Sequence, residues 1–589
     1  MVRKLGREAV QIVEIDVDVC DLVYGQAPCT AVLGTTGQRK CYNTWRTCQA
    51  REAYSDAKLT LRFASPTVSL PRGSTIFPTL TSISQRSGTV NIGGADSSLG
   101  PTGRRSTVSM TFSDHPYHDR LTDPYAQERV SGAAQLDEPG YQPVARGTFW
   151  GKLLARWPYY IGRALRIVDG YIVGGEIVSP RTRHYVISGL SGPSSDGSVT
   201  IEAQDVLNLA DNDRAYAPKA SRGVLAAKLD KGAATCTLSP AGIGEEYPAA
   251  GYVCIGSEVM NFDRMGDTLV LNGRALHGTV EADHDAGDTV QLSLHVTGRI
   301  DAVVRTLLCD HAGIPTMFVP DVEWDAEIGR WMPAVYIDRL IPKPELVSSH
   351  LKSLSELGLS IWWNDVAQKI GLKTVRPPDA DLVRAYDDDS SLLAMDKEDL
   401  PDDRLSRVLI LSVQDDVTKS ATDGSNYKRV SVSGDFRPED VREYGAERTR
   451  VIYSPWFNSG ADGVLAGIGA RMLKRFAQPP VRYRITVDAA HGDVALTDVA
   501  SLRSRAIQEE TGLSLANLAE IISISDVQPG HSIDLTLQNY SFSGRYGFIT
   551  KNDRPTYSNS TDEQRQRGGY LVDPETLLFS DGSGPYAII

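Results

Sequence analysis

Strict alternation of apolar and polar residues runs through this chain. In QIVEIDVDV, residues 11–19, the two-residue period places Glu14, Asp16 and Asp18 on one face of a strand. The same period predicts strands over 59–64, 106–113, 183–192, 198–206, 482–488, 521–527 and 531–544. Helical spacing is rarer. It predicts helices near 145–157, 298–313, 345–358, 436–445, 462–477 and 499–516. Within 298–313, Ile300, Val303, Val304, Leu307 and Leu308 form an apolar stripe. Fifty-two glycines and 31 prolines suit many short strands and turns. The fold class expected is mainly β with some α+β, and no solenoid-like repeat is visible.

The rhythm divides the chain. A first large β region, of barrel or sandwich type, covers 1–220. A compact strand-turn-strand unit at 221–295 reads as an inserted small β-barrel. A mixed α/β region follows at 296–395, with Trp362 and Trp363 on a strand. The acidic stretch 387–403 reads as a solvated connector, because it lacks the ligand spacing of a calcium loop. A second large β region covers 396–550. Residues 551–589 are polar and then apolar again at YLVDPETLLF and PYAII, which predicts an extended arm that docks on another surface.

Composition narrows the class. At roughly 100–200 residues per domain, 589 residues imply several domains. With 41% hydrophobic residues the chain can bury real cores, so it is not wholly disordered. No apolar run approaches the ~20 residues of a membrane span. The N-terminal stretch lacks the apolar core of a secretory signal, which predicts folding in a reducing cytoplasm. The net charge of −13 opposes gripping nucleic acid through its phosphates.

Cysteine placement is the sharpest chemical signal. Four of the seven, Cys20, Cys29, Cys41 and Cys48, fall within 29 residues, in a C-x8-C-x11-C-x6-C pattern. The C-x2-C knuckles of common structural zinc sites are missing. Cys41 and Cys48 lie seven residues apart, which on a helix puts both thiols on one face, with Trp45 beside them. Four thiolates are what an iron–sulfur cluster requires. Zinc, late-forming disulfides and unligated thiols remain alternatives on the residues alone.

The segment CDLVYGQAPCTA…KCYNTWRTCQAREAY resembles the cysteine-rich signature of siphophage tail-tip and baseplate hub proteins of the lambda-like kind. Further patches resemble that family at SDHPYHDRLTDPY (113–125), RALHGTVEADHDAGDTVQL (274–292) and RYGFIT (545–550). The resemblance implies that Cys20, Cys29, Cys41 and Cys48 ligate a [4Fe–4S] cluster, with zinc the alternative. It implies a non-enzymatic virion protein at the tail tip, assembled in the host cytoplasm. There a homotrimer with two large β domains would join the sixfold tail tube to a threefold tip and line the DNA ejection channel. Its neighbours would be the distal tail protein, the tape measure protein and baseplate or central-fibre proteins. DNA would contact it only in transit, and no membrane insertion is implied. The rival readings are an iron–sulfur redox protein and a tail-associated cell-wall hydrolase. Neither has a legible substrate site: no phosphate-binding loop, nucleophile elbow or paired-carboxylate motif appears.

Other chemistry-bearing residues read as structural. His115 and His118 lie around Pro116, which disfavours a helix presenting both to a metal. Cys309, beside Asp310 and His311, follows an apolar helical face and reads as a core thiol. His277 and His284 flank a glycine-rich turn and are expected to fix it.

Overall fold

The computed structural model describes residues 8–32, 41–70, 75–96, 98–100, 102–119, 147–174, 176–378, 384–434, 447–458, 461–509, 511–528, 531–540, 546–548, 569–571 and 587–588. The chain is mainly β, with helices α1 (Phe149–Arg156), α2 (Ile300–Thr306), α3 (Asp321–Trp331), α4 (Val347–Ser355) and α5 (Asp462–Phe476).

The first β region is an eight-stranded sheet. Its strand Glu8–Cys20 lies between Asp56–Ala64 and Ala164–Val173. Its apolar face buries Val13, Ile15, Val17, Phe63, Phe112 and Ile167. Helix α1 drops Phe149 and Trp150 into that core, where Trp150 stacks on Phe63 with centroids 5.3 Å apart. Thr148 and Asp114 start this helix: Thr148 Oγ1 accepts from the Gly151 N–H and Asp114 Oδ1 from the Trp150 N–H. The other face carries the acidic row expected from the sequence. Glu14 accepts from Arg62 and Arg166, and Asp16 from Arg166 and Thr60, all on neighbouring strands.

Residues 224–299 form a seven-stranded sheet with Tyr336–Ile341, around a separate core of Leu225, Leu238, Val253, Phe262, Leu269 and Val290. The strand Val290–Arg299 runs on beyond that core to pair with Tyr336–Ile341, so the unit shares a strand with the mixed region. The second β region is a six-stranded sheet from 384–539, with its own core around Tyr483, Ile485, Leu502, Ile521 and Leu535. A three-stranded sheet (407–414, 427–434 and 449–454) packs on α5, where Gly469 abuts Ser433.

A central core joins all of these. It gathers Leu207, Val304, Trp324, Leu351, Ile361, Ile410, Trp456, Leu473 and Ile522. The loop 88–96 of the first region reaches into it. Val90 donates its N–H to the Ile522 carbonyl at 2.8 Å, Ser523 Oγ donates to the Gly88 carbonyl, and Gly93 donates to Ser360 Oγ. Gly93 has φ +56°, and a Cβ there would lie 2.5 Å from Val375 Cγ2, so only glycine fits. Asp96 pairs with Arg482, 386 residues away, and both are buried.

Two sequence expectations are corrected, and one helix was not expected. The helix expected over 499–516 is instead a strand, Val499–Arg503, followed by loop and by the strand Asn517–Gln528. Pairing on both sides of 499–503 outweighs the weak helical spacing. The acidic stretch 387–403 is not a connector: Leu392–Asp399 is an edge strand paired with Val481–Asp488. Helix α3, in DVEWDAEIGRW, lay in no expected element, although Trp324, Ile328 and Trp331 give it a buried face. The helix expected at 436–445 lies outside the described residues. So does most of the expected arm at 551–589. The arm's described residues, Gly569–Leu571 and Ala587–Ile588, pair in parallel with Tyr546–Phe548.

Candidate functional site

The four-cysteine segment sits at one end of the first sheet. Cys20 is the last residue of its strand and donates its N–H to the Asn43 carbonyl at 3.3 Å, which ties the second cysteine loop to the strand end. Cys29 closes a turn by donating to Gln26 O at 2.8 Å. Cys41 is buried, and its Sγ accepts from the Asn43 N–H at 3.4 Å. Asn43 takes the left-handed φ of +60°, which asparagine tolerates, and its buried Oδ1 has no hydrogen-bond partner. Cys48 follows a single 3-10 turn, Trp45–Thr47, capped by Thr44.

That geometry corrects the helical reading of Cys41 and Cys48. Only one tight turn separates them, so loop closure rather than a shared helical face brings the thiols near. Trp45 does not pack beside them in a core. It is 53% exposed and meets Tyr54 edge-on at 5.1 Å, with the Arg51 guanidinium over its ring.

The electrostatics register four thiols near one another. Burial raises the Cys48 thiol above its ordinary value, and the neighbouring Cys41, Cys20 and Cys29 raise it further. Burial, with Cys20 among its acidic neighbours, pushes Tyr54 up to about 12. All seven cysteines carry free thiols. Among the described residues, no group of three or more His, Cys, Asp or Glu side chains is placed to hold a metal ion.

The remaining candidates have structural surroundings. His115 stacks on Phe149 at 5.5 Å, and Tyr117 stacks on His118. Asp119 receives both arms of Arg156 at 3.0 and 2.9 Å, so the 114–119 loop is riveted to α1. Glu258, fully buried, accepts from Arg274, His284 Nε2, Ala275 N and Ala282 N, which fixes the 274–284 turn. Hydrogen bonds and its Arg274 partner outweigh burial and lower its carboxyl to about 2. His277 sits at φ +53° against Tyr252. Cys309 packs partly buried against the central core, and burial raises its thiol. Trp363 is buried and donates Nε1 to the His184 carbonyl, while Trp362 faces the opposite side of its strand. Sequence reasoning did not find the junction of the two β regions through loop 88–96. Its members are hundreds of residues apart and carry no motif.

No family model and no curated protein matches the chain. Solved structures similar to it include tail proteins and a virion chain. The prophage MuSo2 43 kDa tail protein from Shewanella oneidensis is 11% identical over 78% of this chain and 97% of its own, with a TM-score of 0.33. A tail protein from Neisseria meningitidis MC58 is 11% identical over 77% of this chain and 95% of its own, at 0.31. A chain of the virion of a native gene transfer agent particle is 13% identical over 42% of this chain and 48% of its own, at 0.27.

Proposed function

We propose that this chain is the structural hub at the tip of a long, non-contractile phage tail. In this reading it is a homotrimer that joins the sixfold tube to a threefold tip, contacts the distal tail and tape measure proteins, and lets DNA pass during ejection. The observation that carries the reading is the four-cysteine segment, whose thiols lie near one another at the end of the first sheet. Cys20, Cys29, Cys41 and Cys48 would hold a [4Fe–4S] cluster. When bound, that group supplies a cross-link between two loops that have little core of their own. The chain's own part is to present the sulfurs. The strand end fixes Cys20, the Gln26 turn sets Cys29, and the Asn43 and Thr44 bonds hold the backbone between Cys41 and Cys48.

Two measurements test this. Protein purified without oxygen should be brown and hold about four irons per chain. Cys48→Ser should lose the iron while Cys309→Ser keeps it, and stoichiometric zinc without sulfide would reject the cluster. A reconstruction of the assembled tail tip should show three copies of this chain, and six copies would reject the hub.

A further inference from the structure

Between Cys41 and Cys48 the chain reads YNTWRT, and its first three residues carry the ties of this loop. The Tyr42 N–H donates to Thr47 Oγ1 at 3.0 Å, and Thr44 Oγ1 lies 2.9 Å from the same hydroxyl. Those two bonds secure the turn that ends at Cys48. Asn43 reaches further. Its carbonyl accepts from the Cys20 N–H at 3.3 Å, and its own N–H donates to Cys41 Sγ at 3.4 Å. Through its main chain alone, one residue therefore holds a cysteine at the strand end and a cysteine of its own loop.

Both bonds depend on where the Asn43 peptide groups point, and φ of +60° sets that direction. The left-handed region is open to glycine, tolerated by asparagine and strongly disfavoured for β-branched residues. The side-chain oxygen does not select the residue: Asn43 is 9% exposed, and its Oδ1 has no hydrogen-bond partner. What the position selects is a backbone conformation.

We propose that Asn43 is the positioning residue of the four-thiol centre, and that its left-handed backbone clasps Cys20 to Cys41 before any metal arrives. The inference rests on the reading of Cys20, Cys29, Cys41 and Cys48 as one centre, and it adds which residue organises that centre.

The test is alkylation of the full chain with iodoacetamide after chelation of any metal, read at each cysteine by mass spectrometry, with hydrogen exchange at the Cys20 amide. Cys41 is buried and should react slowly in the wild type. Asn43→Gly keeps the conformation and should leave the Cys41 rate within about twofold. Asn43→Ala should raise it about tenfold and Asn43→Val further, with faster exchange at Cys20 in both. Cys254, buried in the small β unit, should react at the same rate throughout, which separates a lost clasp from a lost fold. Asn43→Ala carries the test if the valine variant misfolds. Iron bound by protein purified without oxygen should follow the same order, highest in the wild type and Asn43→Gly. A wild type without iron would reject the cluster reading, while the alkylation order still decides the clasp. Equal Cys41 rates in Asn43→Gly and Asn43→Ala, unchanged exchange at Cys20 in Asn43→Ala, or bound iron that departs from this order would overturn the proposal.

Discussion

In the eight-stranded sheet, strand Glu8–Cys20 settles its charges within the sheet itself. Glu14 meets Arg62 and Arg166 directly across the ladder, Asp16 meets Thr60 across it and Arg166 on the diagonal, and the apolar face closes on Trp150 from its own helix. The six-stranded sheet settles its charges elsewhere. Glu520 in strand Asn517–Gln528 is buried and pairs with Lys373 of the central hairpin at 2.7 Å, with Arg475 of α5 at 3.7 Å. The next residues along that strand, Ile522 and Ser523, bond to loop 88–96. One sheet is therefore held by cross-strand neighbours and a local plug. The other is held by long-range ties that also seat it on the rest of the molecule. Damage to the first should stay local, and damage to the second should spread.

The sharpest break is Trp150→Ala. Removing a fully buried tryptophan from the first core should cost about 3–5 kcal/mol. The loss should appear in hydrogen exchange over 8–20 and 107–113 while 481–539 stays protected. Equal loss in both regions would end the contrast. Glu520→Ala comes next, at about 3 kcal/mol, because it strands the buried Lys373. Its exchange should increase in both the second sheet and the hairpin 359–374, and an effect confined to 517–528 would show that the tie is local.

Acid separates the two sheets by sign. Burial raises the Asp16 and Asp18 carboxyls, but hydrogen bonds from Arg166 and Thr60 to Asp16, and from Lys58 and Arg163 to Asp18, more than reverse it. Their folded values lie below 3.8, so their contribution is present above that pH and is lost as pH falls further. Asp498 beside the second sheet is raised by burial, against a hydrogen bond from the Ala495 N–H and the nearby charge of Lys373. It penalises the folded state at neutral pH, and that penalty is relieved as pH falls through its raised value toward 3.8. Exchange measured from pH 6 to 3 should show 517–528 gaining protection before 8–20 loses any. Parallel loss in both would refute the assignment. The smallest effect is Lys58→Ala, which removes an exposed partner of Asp18. It should shift thermal unfolding by no more than about 0.5 kcal/mol.

Much of the first sheet was legible because strands such as Glu8–Cys20 and Thr107–Ser113 alternate, and alternation dictates a buried face without reference to distant residues; Ile76–Phe77, Leu80–Arg86 and Ala164–Val173 of the same sheet lay in no expected strand. The acidic row Glu14, Asp16 and Asp18 is visible in that period, and the structure adds only which arginines answer it. Helix α1 was legible for the same local reason. Residues 499–516 misled because a weak helical spacing there loses to pairing with strands that sequence cannot place. The acidic run 392–399 misled because charge suggests solvent, whereas an edge strand tolerates charge along its open side. At the candidate site, the four cysteines were visible as a cluster in sequence, while the helix joining two of them was not real.

What the sequence alone determined is local: strand periods and the density of thiols within 29 positions. What only the tertiary structure decided is which distant groups meet. Asp96 with Arg482 and Glu520 with Lys373 each join segments more than 140 residues apart. No period or motif encodes such pairs. They arise when several cores, each specified locally, pack against one another and bury whatever polar groups lie at the seam.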